Sequence, residues 1–172
     1  MKNKVIKEQN KNLSKNTAKR VQLMKKIFSK MPKIKVFENT HNYDQMIVQV
    51  GIPVLALCEH HECSFEGVVH IAYLPEYWLV GLSKLARVAE YHLNPTVKTI
   101  QEKATANILK NLKDCLHPKG LMVVVEARHS CIAYRGVKKP SLTITSAVDG
   151  IFAEQGNDAK YEFLSFINRN NK

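Results

Sequence analysis

Six consecutive residues, Cys58-Glu59-His60-His61-Glu62-Cys63, offer two thiols, two imidazoles and two carboxylates. Cys58 and His61 stand at C-x-x-H spacing, which lets a thiolate and an imidazole meet one metal ion from a tight turn. A second group, His129-Ser130-Cys131, lies in an apolar, β-branched segment. The period of two in a strand sends His129 and Cys131 to one face. Two such groups, about seventy residues apart, can supply three ligands and leave a fourth position for water, the arrangement of a catalytic zinc. Spacing alone also admits the plainer reading, a buried cysteine and satisfied histidines. The zinc-deaminase pattern, His-x-Glu together with Pro-Cys-x-x-Cys, is absent, since no cysteine follows a proline.

A third group suits an anion. Ser83, Lys84 and Arg87 follow Gly81 at the start of an amphipathic helix, where free N–H groups and the helix dipole favour negative charge. Lys84 and Arg87, three apart, share a face. Arg135 follows Cys131 by four on the same expected strand. Alone, these residues read equally well as a solvated helix start and a surface arginine. Gln101-Glu102 is less specific still. A glutamate can accept two hydrogen bonds from the N1–H and amino edge of a guanine, but most helix glutamates face water.

The elements that must position these groups follow from periodicity. Helical spacing of Val21, Met24, Ile27 and Phe28 predicts a helix over residues 14–31, ended by Pro32. Short strands are expected at 33–38 and 45–50, and a longer one at 66–74. Helices follow at 81–93 and 96–116, then a long strand over 121–134, an antiparallel neighbour at 142–148, and a short closing helix at 161–168. Hairpins flanking a helix pair, without βαβ alternation, make the class α+β with an antiparallel sheet.

Composition bounds the function. The chain has 172 residues, 45% apolar and 24% charged, one domain's worth of soluble sequence. The run from Val50 to Cys58 is far too short to span a membrane, and the N-terminus lacks the apolar core of a secretory signal. A cytoplasmic location is expected. Four cysteines among histidines then argue for metal or thiol chemistry rather than a disulfide framework. Residues 1–35 carry twelve of the 26 basic residues and one acid, so the net +11 is N-terminal and the rest sums to zero. Residues 1–13 read as a basic flexible tail, and 14–172 as a single catalytic domain.

In order along residues 14–155, these segments resemble GTP cyclohydrolase I. The resemblance is carried by Cys58-Glu-His-His61, Phe65-x-Gly67-x-x-His-x-Ala-Tyr-x-Pro75, Gly81-Leu-Ser-Lys-Leu-Ala-Arg87, Gln101-Glu102, Glu126-Ala-x-His129-x-Cys131, Arg135-Gly-Val137 and Thr143-x-Thr-Ser146. Thr17-Ala-Lys-Arg20 resembles the family's early Thr-Pro-x-Arg segment. The resemblance implies the tunnelling fold and a homodecamer of two stacked pentamers, with active sites between subunits. The implied reaction turns GTP and water into 7,8-dihydroneopterin triphosphate and formate, for folate, pterin or 7-deazaguanine synthesis. Carried over, Cys58, His61 and Cys131 would bind Zn2+, whose water would attack guanine C8. His60 and His129 would move protons, and Gln101 and Glu102 would hold the guanine edge. Lys84, Arg87, Arg135 and Arg20 would clamp the triphosphate, and Ser83 would assist the sugar rearrangement before ring closure.

Three departures stand out. Leu23 replaces a family phosphate-binding lysine, the long N-terminal helical region is reduced to the basic tail, and Glu62-Cys63-Ser64 replaces an apolar-proline run. Two other readings remain open: a nucleic-acid module with a structural zinc, and a tunnelling-fold enzyme for another purine or pterin. The neutral body and the lack of aromatic stacking platforms in the arm weigh against nucleic acid.

Overall fold

The computed structural model describes residues 2–170, with side chains for 15–169. The chain forms two compact units, Met1–Met31 and Pro32–Lys172. The first is a single helix, α1 (Lys2–Phe28). Its start corrects the sequence reading, in which residues 2–13 form a tail rather than helix. No glycine or proline interrupts the chain before Pro32, and its Lys, Gln and Glu are good helix formers even without an apolar stripe.

The second unit is built on a five-stranded sheet of order β5-β2-β3-β6-β7. Its strands are β2 (Ile47–Cys58), β3 (Ser64–Leu74), β5 (Lys98–Thr99), β6 (Gly120–His129) and β7 (Leu142–Gly150). All neighbours pair antiparallel except the short β5, which runs parallel to the end of β2. A two-stranded ribbon joins β1 (Val36–Glu38) to β4 (Trp78–Val80). The helix pair α2 (Leu82–His92) and α3 (Gln101–Leu116) covers one face of the sheet, burying Leu85, Val88, Ala89, Ile108, Leu112 and Leu116. On the other face α5 (Ala159–Asn170) brings Phe163 and Ile167 onto Ala72, Met122 and Val124. Covered on both sides, β6 is buried from Leu121 to Val125, which is why it reads as an unbroken apolar run. The fold is α+β with a largely antiparallel sheet and a helix pair on one face, as the sequence led us to expect.

Three local departures from the sequence reading have physical causes. Strand β2 does not stop at Val50; Gly51, at φ +71°, is absorbed as a bulge where the register with β3 shifts between Gln49 and Ile52. Helix α3 begins at Gln101, not Thr96, because Lys98 and Thr99 pair with Leu57 and Cys58. Strand β6 ends at His129, and Ser130–Ala133 wind into one helical turn, α4.

Gly67 lies where β3 meets β6, and a Cβ there would sit 1.9 Å from the Glu126 carbonyl oxygen. Gly67→Ala is expected to force these strands apart at a cost of about 1–3 kcal/mol, read as a lower denaturant midpoint. His70 is fully buried; its Nδ1 accepts the Gly51 N–H at the bulge, and its Nε2 lies 3.9 Å from Glu126. Burial lowers its pKa, partly offset by the Glu126 carboxylate. The unfolded chain then takes up the proton more readily. Stability from neutral His70 is present above the ordinary value of 6.5 and is lost as pH falls below it. The melting temperature should therefore drop below about pH 6.5, and His70→Phe should flatten that slope in part. Burial lowers His92 in the same way, so some slope remains. An unchanged slope would show that His70 titrates freely.

Candidate active site

The ends of β2 and β3 are joined by a tight turn over residues 59–63. It is closed by the Cys58 N–H on the Cys63 carbonyl at 2.8 Å and the Glu62 N–H on the Cys58 carbonyl at 2.8 Å. Glu62 takes the left-handed conformation that such a reversal demands. Strand β5 braces the turn from outside: the Glu59 N–H donates to the Thr99 carbonyl, and Lys98 pairs with Glu62. From this turn the His61 Nδ1 lies 3.8 Å from the Cys58 Sγ.

Across the hairpin, Phe65 pairs with His129, which places the last residue of β6 level with the turn. The α4 turn then carries Cys131 back toward Cys58. This corrects the expected route, because His129 and Cys131 do not share a strand face; a helical turn brings Cys131 in. The ligand atoms of Cys58, His61 and Cys131 all lie within 4.8 Å of one another. No other such group of three occurs among the described residues. The spacing fits a shared zinc ion, since tetrahedral Zn–S and Zn–N bonds separate such donors by roughly 3.6 Å. Burial and the neighbouring Cys58 thiol push the Cys131 thiol up, and a divalent cation reverses that balance. Cys63 lies outside the trio.

These three residues line a cavity of about 220 Å3 together with His60, Gln101, Glu102 and His129. Thr143, Ile100 and Ile132 complete it, and sequence reasoning gave none of them a role. Ile100 and Ile132 flank residues that were singled out, but apolar neighbours carry no signal of their own. A larger cavity of about 670 Å3 lies elsewhere, between Asn39 and Trp78, and holds no ligand trio.

Gln101 is 2% exposed, whereas its neighbour Glu102 is open to solvent. The Gln101 Nε2 donates to the carbonyls of Val125 (3.0 Å) and Thr143 (3.1 Å) and to the Thr145 hydroxyl (3.2 Å). Its Oε1 lies 2.7 Å from the His129 Nε2. The side chain expected at a ligand's edge is thus wholly engaged by protein. Phe65 stacks on the His129 ring at 4.5 Å and 13°. Burial lowers the His129 pKa and the Glu102 carboxylate partly restores it.

The anion-binding candidates are not among the residues that line this cavity. Ser83 and Arg87 are exposed on the first turns of α2, Lys84 is half-buried there, and Arg135 is exposed after α4; none of the four lines it. Arg20 is exposed on α1, in the first unit.

Comparison with known proteins places this geometry. The chain is 41% identical over 157 residues to GTP cyclohydrolase 1 of Aquifex aeolicus, covering 89% of this chain and 83% of that one. It is 43% identical over 139 residues to the Sulfurihydrogenibium enzyme of the same name (80% and 72%). It is also 43% identical over 129 residues to that of Chlorobium phaeovibrioides (74% and 56%), so it spans little more than half of some relatives. An archaeosine synthase QueF-Like structure aligns over 59% of this chain and 92% of its own, at a TM-score of 0.47 and 10% identity, too distant to bear on function. The family model for GTP cyclohydrolase I matches residues 3–168, nearly the whole sequence, and the chain belongs to the GTP cyclohydrolase I family.

Proposed function

We propose that this chain hydrolyses GTP, with water, to 7,8-dihydroneopterin triphosphate and formate. The observation that carries the reading is one cavity shared by a Cys58–His61–Cys131 donor set, two further histidines and a solvent-open carboxylate. Two thiols and an imidazole are a zinc donor set, and three of them leave a coordination position open. Zinc held there supplies Lewis acidity that makes water a nucleophile near neutral pH.

The chain's own groups do the rest. Glu102, exposed at the first turn of α3, accepts the N1–H and amino hydrogens of guanine and so presents C8 to the donor set. His60 and His129 take and return protons as the two C–N bonds break, a task suited to imidazoles. Lys84, Arg87, Arg135 and Arg20 neutralise the triphosphate, and the Ser83 hydroxyl serves the sugar rearrangement. That Ser83, Lys84, Arg87 and Arg135 do not line the cavity is consistent with sites completed between subunits, in a decamer of two pentamers.

Two substitutions separate the roles. Cys131→Ala is expected to lose zinc, measured as metal per chain, and at least about a hundredfold in turnover. Glu102→Gln is expected to keep zinc and raise KM about 10- to 100-fold, since a charge-assisted pair is lost. Full activity in Cys131→Ala would refute the donor set. The reaction itself is tested by anaerobic incubation with GTP, assaying formate and pterin together. Equal amounts of both are expected. Formate alone would put the failure after ring opening, at Ser83 and the phosphate clamp. Neither product, with zinc bound, would point to another purine or pterin substrate.

A further inference from the structure

We propose that Gln101 is a positioning residue: its amide oxygen keeps a hydrogen on the His129 Nε2 and so fixes the tautomer and orientation of that ring, leaving Nδ1 as the bare nitrogen of the neutral imidazole. This rests on the reading of His129 as a residue of the active site and names what fixes its ring.

The argument is an inventory of donors and acceptors. The Val125 and Thr143 carbonyl oxygens can only accept, and both lie within 3.1 Å of one terminal atom of the Gln101 amide. That atom must be the NH2 nitrogen, which settles the amide orientation that distance alone leaves ambiguous. The other terminal atom is then the carbonyl oxygen, which can only accept, and it faces the His129 Nε2 at 2.7 Å. So Nε2 carries a hydrogen. This holds whether the ring is neutral or cationic, so the tautomer of the neutral ring is fixed.

A second chain of bonds locks the first. The Thr105 hydroxyl donates to the Gln101 backbone carbonyl at 2.8 Å, and the Thr105 and Thr145 hydroxyls lie 2.7 Å apart. Because Thr105 has used its hydrogen, Thr145 donates to it and keeps a lone pair for the Gln101 amide at 3.2 Å. Every hydroxyl direction is then determined. With Phe65 against one face, the His129 ring is held in plane by stacking and about its axis by Gln101. Successive helix residues are turned by about 100°, so Gln101 can be buried while Glu102 remains at the ligand.

Ring-15N spectra of the zinc-loaded protein, labelled at histidine and assigned against His129→Asn, test the proposal without turnover. The expected neutral ring has a protonated Nε2 and a bare Nδ1, and the reverse assignment overturns the proposal. In Gln101→Leu the ring should lose this preference. Its kcat should fall about 10- to 100-fold with zinc retained and KM within about threefold. A rise in KM at unchanged kcat would return Gln101 to the guanine edge and sink the idea. If Gln101→Leu does not fold, the unsubstituted spectrum decides alone. Absence of formate from the unsubstituted enzyme, with Nε2–H observed, would refute the reaction while upholding the Gln101–His129 arrangement.

Discussion

The pairing of Phe65 with His129 is the constraint on which the rest of the structure depends. Strand β6 must end level with the turn that closes β2 and β3, or the thiol of Cys131 cannot reach those of the hairpin. A slip of one residue would turn every side chain of β6 to the opposite face, sending Val123 and Val125 where Met122 and Val124 now meet α5. The register is therefore enforced by the whole buried length of β6, with apolar cover on both faces. The site inherits its accuracy from that core.

The polar side chains near the cavity divide according to burial. Glu102 and His60 face water and are free to meet a ligand, while Gln101, Thr105 and Thr145 form a bonded set inside the protein. A half-satisfied group in that position would cost stability, and full satisfaction makes the set rigid. His129 stands at the boundary, held from inside and open on the cavity side. Rigid support behind a reacting group limits the motion that must be frozen out when a ligand binds.

Much of this was legible in the residues. The Cys58–His61 spacing, the apolar stripe of α2 and the unbroken apolar run of β6 each carry a periodicity that one element alone satisfies. The burial of the Gln101 amide was not legible, because whether an amide faces solvent or a strand depends on which carbonyls the register brings beneath it. Thr143 and Thr145 likewise look like ordinary strand residues until β7 is set beside β6. The route of Cys131 was misread for a related reason. A run such as Ser-Cys-Ile-Ala suits a strand by composition, and only the end of β7's pairing at Leu142 leaves it free to coil. Residues 2–13 have little apolar periodicity, so the start of α1 carries no amphipathic signal in the sequence.

The bulge at Gly51, the turn after Cys58 and the short β5 all lie upstream of the α4 turn that completes the donor set. During synthesis the hairpin of β2 and β3 can form from neighbouring sequence, yet it offers only Cys58 and His61 from the trio. Cys131 joins only after the α2–α3 segment has been threaded and β6 has inserted beside β3, a contact of high sequence separation and correspondingly slow formation. The trio is thus a product of long-range pairing, and the β2–β3 hairpin without β6 and α4 carries only two of its three donors.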